Sequence, residues 1–217
     1  MTFIKQIIRK DILTNILNNI TLTGIELFNL IISDNNSESP PNESRKGFIF
    51  ETICIILEFC KCINIDYNEC CEGQLQTLHT IKNFNEMLKH KINRGDNPSD
   101  MTIKQNNTII AFSIKYLDNF NADAGCQELD NTLSRLNIDY KIGLIVKDKK
   151  LYKNNKFNNK QSSKSVILNK IITDNLLLDE TDIIKGLDIF CNRFIHNNYN
   201  TNNFIEIINT QYLLSPR

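Results

Sequence analysis

The chain has 217 residues, 25 basic and 25 acidic side chains, a formal charge of zero, 41% hydrophobic residues and 23% charged ones. That balance excludes wholesale disorder, and the length fits one large domain or a domain with an appendage. No apolar run reaches the roughly 18–20 residues of a membrane span; the best, residues 48–57, is shorter and contains Glu51.

The first residues mix Lys5, Arg9, Lys10 and Asp11 with apolar side chains, which is not the pattern of a secretory signal. Ile4, Ile7, Ile8, Ile12, Leu13, Ile16 and Ile20 follow a near-helical period, and a second helical pattern covers residues 24–32. Residues 34–44 are polar and hold Pro40 and Pro41, which predicts a break between an N-terminal helical segment (1–40) and the main body (41–165). Residues 45–58 then read as a mostly buried helix with Ser44 as its N-cap. Glu51 sits inside that apolar run. A buried carboxylate costs several kcal/mol unless it is paired or bound to a metal.

Residues 74–92 carry no decisive pattern. The turn-forming stretch from Gly95 to Asp100 leads into a β-hairpin, with strands at 101–103 and 108–116 around a polar turn at 104–107. In the second strand Phe112 and Ile114 face one way, and Ala111, Ser113 and Lys115 the other. A short amphipathic helix at 122–136 carries Leu129, Leu133 and Leu136, and residues 140–146 form a continuous apolar strand suited to the centre of a sheet. Residues 147–165, rich in Lys, Asn and Ser, read as a surface loop, and 166–217 as a C-terminal helical segment, clearest at 181–196. The fold class is α/β, with a mixed central sheet flanked by helices.

Seven cysteines are scattered along the chain. Cys60, Cys62, Cys70 and Cys71, near His79, lack the paired spacing of a zinc ribbon and read as small buried hydrophobes. His79, His90 and His196 show no metal or triad spacing. Ile and Asn each exceed thirty, the mark of A/T-rich codons rather than of a function.

Three positions carry candidate chemistry. Asp100 opens the first hairpin strand, and Lys115 lies in the second, two residues after Ser113. Paired strands bring two such residues within reach of one cavity. With Glu51, Asp100 supplies the oxygen ligands that suit Mg²⁺. A neighbouring lysine orients or deprotonates the attacking water and offsets charge in a phosphoryl transition state.

At these residues the sequence resembles the PD-(D/E)XK nuclease superfamily, whose pattern is an acid opening one strand and an acid-x-Lys triplet on the next. The match is Pro98-Ser99-Asp100, then Ser113-Ile114-Lys115. The Lys-Gly-x-x-x-Glu element of the branches similar to Holliday-junction resolvases and Mrr-type restriction enzymes is matched by Lys46-Gly47 and Glu51. The resemblance covers residues 45–150. It implies a restriction endonuclease-like core and a DNA endonuclease that hydrolyses phosphodiester bonds with Mg²⁺ or Mn²⁺. It implies Glu51 and Asp100 as metal ligands and Lys115 as the catalytic lysine. Ser113 stands where the family's second acid belongs, and Gln127 where some branches carry a supporting polar residue.

The end of the chain, Tyr212 to Arg217, resembles the lead-in to a superfamily 2 helicase core. Nuclease-like domains precede such helicases in some large DNA viruses. The expectation is part of a larger DNA-processing protein with a helicase domain beyond residue 217. Its site is the cytoplasm or another intracellular site of DNA replication, it is not secreted, and it has no membrane partner. Many relatives dimerise, so a homodimer is a further expectation. Ser113 also motivates an alternative, a catalytically inactive nuclease-fold module for nucleic-acid binding or protein docking. From Lys141 to Lys170 nine lysines face one acid, Asp148, either a solvated loop or a track for a phosphate backbone.

Overall fold

The computed structural model describes residues 7–33, 43–60, 62–63, 99–105, 108–121, 124–136, 139–154, 163–196, 204–205 and 213–215. In chain order the elements are β1 (Ile7–Arg9), α1 (Lys10–Asn18), α2 (Gly24–Ile32), α3 (Glu43–Phe59), β2 (Met101–Gln105) and β3 (Thr108–Lys115). They continue with α4 (Cys126–Leu133), a 3-10 turn (Ser134–Leu136), β4 (Tyr140–Val146), α5 (Lys149–Asn154), α6 (Ser163–Thr173), β5 (Leu177–Asp179), α7 (Glu180–His196) and β6 (Leu213–Ser215). Two compact units result: a sheet unit of Met1–Ile4 with Leu75–Glu180, and a helical unit of Lys5–Gln74 with Thr181–Arg217.

The sheet unit holds four strands in the order β2-β3-β4-β5. β2 and β3 form the expected hairpin, antiparallel, with Met101 opposite Phe112 and Gln105 opposite Thr108. β3 to β4 and β4 to β5 are parallel, so the sheet is mixed. Every β3 residue from Ile109 to Ile114 is buried, and β4 is buried from Ile142 to Val146. Burial on both faces explains why these two strands read as near-continuous apolar runs. Helices α4 and α6 pack on β4. Phe112 is fully buried, and its register partner on β4 is Gly143. A Cβ added at Gly143 would lie 2.2 Å from Phe112 Cε1, so the ring occupies the space that any larger residue needs.

In the helical unit, Thr23 and Glu26 form a capping box that starts α2. Phe28 of α2 meets Phe50 of α3 edge to face, with centroids 6.2 Å apart. The Gly24 N–H donates to Asp188 Oδ1 at 2.5 Å, and Arg193 Nη1 donates to the Cys60 carbonyl at 2.9 Å, tying α7 to the segments before it. Among the described residues no helix is long and apolar enough to cross a membrane.

The helices at 24–32 and 181–196 and the strand at 140–146 stand close to where the sequence puts them. Five local expectations are corrected. Ile7–Arg9 is a strand rather than the start of a helix, because it pairs in parallel with Leu213–Ser215. That same pairing makes residues 213–215 a strand instead of helix. Ser44 lies inside the first turn of α3, not at its cap. The supposed loop at 147–165 contains α5 and the first turn of α6, and Leu177–Asp179 is a strand within a stretch that reads as helix. The proline loop at 34–42, the segment at 74–92, and Cys70, Cys71, His79 and His90 lie outside the described residues.

Candidate functional site at the carboxyl edge of the sheet

The parallel strands β3, β4 and β5 end at Lys115, Val146 and Asp179. Open α/β sheets gather their ligands beyond such strand ends. β2 runs the other way, so its entry at Ser99 and Asp100 reaches the same edge. The Asp100 N–H donates to the Phe112 carbonyl at 3.0 Å. Asp100 Oδ2 accepts from the Ile114 N–H at 2.7 Å and from Lys115 Nζ at 3.1 Å. The hairpin thus joins the two residues that the sequence singles out. Both side chains keep access to water, 30% for Asp100 and 37% for Lys115.

Ser113 shares the face of Lys115 but is buried, and its hydroxyl donates to the Ala124 carbonyl at 2.5 Å. The turn it holds has Ala124 at φ 40° and Gly125 at φ 76°, with Asn121 Oδ1 accepting from the Ala124 N–H. A Cβ on Gly125 would come within 3.3 Å of Ser113 Oγ and 4.0 Å of Lys115 Cε. Glycine therefore meets two demands here, a left-handed backbone and close approach to the pair. Gln127, at the start of α4, donates to Ser163 Oγ at 3.0 Å and so links α4 to α6. Glu51 belongs to the helical unit, half-buried on α3. Glu58, two turns further along, is the more deeply buried acid at 2% exposure, a distinction that two acids within one apolar run do not reveal in sequence.

The same edge carries groups that sequence reasoning missed. The Tyr116 hydroxyl donates to Glu180 Oε2 at 2.8 Å, and Lys147 Nζ lies 5.3 Å from the Tyr116 ring centroid while pairing with Asp118. Burial, then the Glu180 carboxylate, pushes the Tyr116 phenol far above its ordinary range. Asp179 is only 6% exposed and pairs with Lys149 Nζ at 3.4 Å. The available signal was the run Leu176-Leu177-Leu178 followed at once by two acids, which suits a short buried strand ending at a polar edge.

Among the described residues no group of three or more His, Cys, Asp or Glu side chains forms a ready-made metal cluster. Of the clustered cysteines, Cys62 is buried, as expected of a small hydrophobe, while Cys60 is only half-buried; Cys54, Cys126 and Cys191 are buried thiols as well. Burial, with Asp188 beside it, pushes the Cys191 thiol up to about 11. Comparison with family models, with curated proteins and with solved structures finds no match to this chain.

Proposed function

We propose that the sheet unit is a restriction endonuclease-like core that hydrolyses phosphodiester bonds in DNA with the help of a divalent cation. One observation carries the reading: the hairpin register sets the acid that opens β2 against the lysine that closes β3, 3.1 Å apart at the carboxyl edge of a mixed sheet. Stability is a poor reason for this pair, since an ion pair so open to water contributes at most about 1 kcal/mol. The paired strands that carry Asp100 and Lys115 agree with the two-strand pattern of the resemblance.

The donors at this edge are oxygens, the class that suits a hard cation such as Mg²⁺, which takes one or two carboxylates and keeps water and phosphate oxygens for the rest. Asp100 would hold it. When bound, the cation supplies Lewis-acid polarisation of the phosphate. Lys115 presents its ammonium next to the acid, where it orients water and offsets charge that builds on the phosphate oxygens. The Ile114 N–H fixes the Asp100 carboxylate, so that neither group has to reorganise.

Cleavage of plasmid DNA with Mg²⁺ or Mn²⁺ tests the proposal. Lys115→Ala and Asp100→Asn are expected to abolish cutting while the protein stays folded. If wild type and Lys115→Ala show the same background, the enzymatic reading fails.

One observation favours a second reading, a non-catalytic nucleic-acid-binding module. Ser113 replaces an acid, and its hydroxyl is engaged by the Ala124 carbonyl. Calorimetric titration of metal separates the two: binding of DNA without binding of Mg²⁺ favours the module.

A further inference from the structure

Register places a second acid–lysine pair in line with the first. Lys115 is the partner of Val146, and Val146 is the partner of Asp179, so the three share one row across adjacent parallel strands. Their side chains leave the same face of the sheet. The Cα atoms of Lys115 and Asp179 are two strand spacings apart, about 10 Å. Asp179 is buried and takes two contacts from Lys149: Nζ at 3.4 Å to Oδ1 and the backbone N–H at 3.4 Å to Oδ2. That double contact fixes the start of α5 and holds the Lys149 ammonium at the carboxyl edge, itself 27% exposed. Lys153 follows one turn later on the same face of α5 and is exposed.

We propose that Lys149, held by Asp179 and continued by Lys153, anchors the phosphate backbone of a nucleic-acid strand beside the Asp100–Lys115 pair. The inference rests on the reading of this edge as a nucleic-acid site and deepens it. An ammonium carries three donors, so it serves a buried carboxylate and a phosphate together. A span of about 10 Å matches roughly three nucleotide steps at about 3.4 Å along a duplex strand. The segment is strongly basic, with nine lysines and one acid from Lys141 to Lys170. Acids from neighbouring segments pair with some of these lysines, Asp174 with Lys141 and Asp118 with Lys147. Lys170 serves as an internal control. Its Nζ lies 6.0 Å from the ring centroid of Tyr140, the first residue of β4, and so at the opposite edge of the sheet.

The test is binding of a fluorescent DNA duplex to the full chain in EDTA, over a series of salt concentrations. Lys149→Ala and Lys153→Ala are each expected to weaken binding about threefold or more and to lower the salt slope by about 1. Lys149→Arg is expected to keep wild-type binding, and Lys170→Ala to change nothing. Lys149→Ala strips a buried carboxylate of a partner, so thermal unfolding accompanies it, and the exposed Lys153→Ala carries the test if the first variant unfolds. Equal losses from Lys170→Ala, or unchanged slopes for both α5 variants, overturn the proposal. So does an equal loss of binding to vesicles of anionic phospholipid, which assigns the row to a membrane surface. If wild type binds without cutting and the α5 variants still lose slope, the anchor stands while the catalytic reading falls. If wild type binds no DNA at any salt, both fall.

Discussion

Substituting Gly143 with alanine probes the packing that holds the candidate site. The new Cβ would meet Phe112 at 2.2, 2.4 and 2.7 Å, from Cε1, Cδ1 and Cζ. Carbon atoms rest at about 3.5–4.0 Å, so the ring has to move by more than about 1 Å. Phe112 is fully buried and has no open space to enter. Overpacking of this kind costs about 1–3 kcal/mol, and the depth of the overlap argues for the upper half of that range. At about 2–4 °C per kcal/mol for a chain of this size, the melting temperature should fall by about 5–10 °C. Thermal and urea unfolding read the loss. Phe112 also accepts the Asp100 N–H through its carbonyl, so under the proposed nuclease activity the same variant should slow DNA cleavage beyond the loss of folded protein. A double-mutant cycle with Phe112→Leu isolates the cause, because the smaller side chain relieves the overlap and the two changes should couple by about 1 kcal/mol or more. A cost below about 0.5 kcal/mol for Gly143→Ala, or additivity in the cycle, would refute the reasoning.

Four further outcomes are expected. Ser113→Ala removes the hydroxyl donor of the Ala124 carbonyl, leaving it the weak Cys126 thiol at 4.0 Å, and should cost about 1 kcal/mol in urea unfolding; Ser113→Asp adds a carboxylate and should tighten Mg²⁺ binding by calorimetry if the edge is a metal site. Burial, then Glu180, holds the Tyr116 phenol protonated above its ordinary 10.0. A folded pKa above the unfolded one gives stability that is full below about pH 10 and lost as pH rises past it, so Tyr116→Phe should flatten the alkaline fall seen by urea unfolding. Tyr140 and Tyr152, raised first by burial, account for part of what remains. Finally, Cys191, pushed up to about 11, should react with a thiol reagent at neutral pH only after unfolding, with peptide mapping by mass spectrometry as the measure.

Local chemistry decides which parts of this fold were legible in the sequence. The hairpin was legible because a turn-rich stretch precedes two β-branched strands, and β4 because an apolar run bounded by polar residues suits a strand buried on both faces. The acid and the lysine were legible from their places before β2 and in β3, but the register was not: Lys104 and Gln105, which read as turn, are strand and pair with Ile109 and Thr108. α5 was not: Lys149–Asn154 shows no apolar period, and the helix is held by tertiary contacts, with Tyr152 buried and meeting Phe120 and Lys149 bound to Asp179. β1 was hidden because its partner β6 lies some two hundred residues away in sequence, while its own residues continue the period of α1. β5 was hidden inside a Leu- and Ile-rich stretch where strand and helix patterns cannot be told apart by periodicity.

The brevity of β5 bears on self-association. Among the described strands it forms one margin of the sheet, it is three residues long, and the chain turns into a helix at the very next residue. So short a run of unpaired amides and carbonyls offers little template to a foreign strand. Lateral growth on that side, the usual first step toward fibrous aggregates, is curtailed by the layout of the backbone itself.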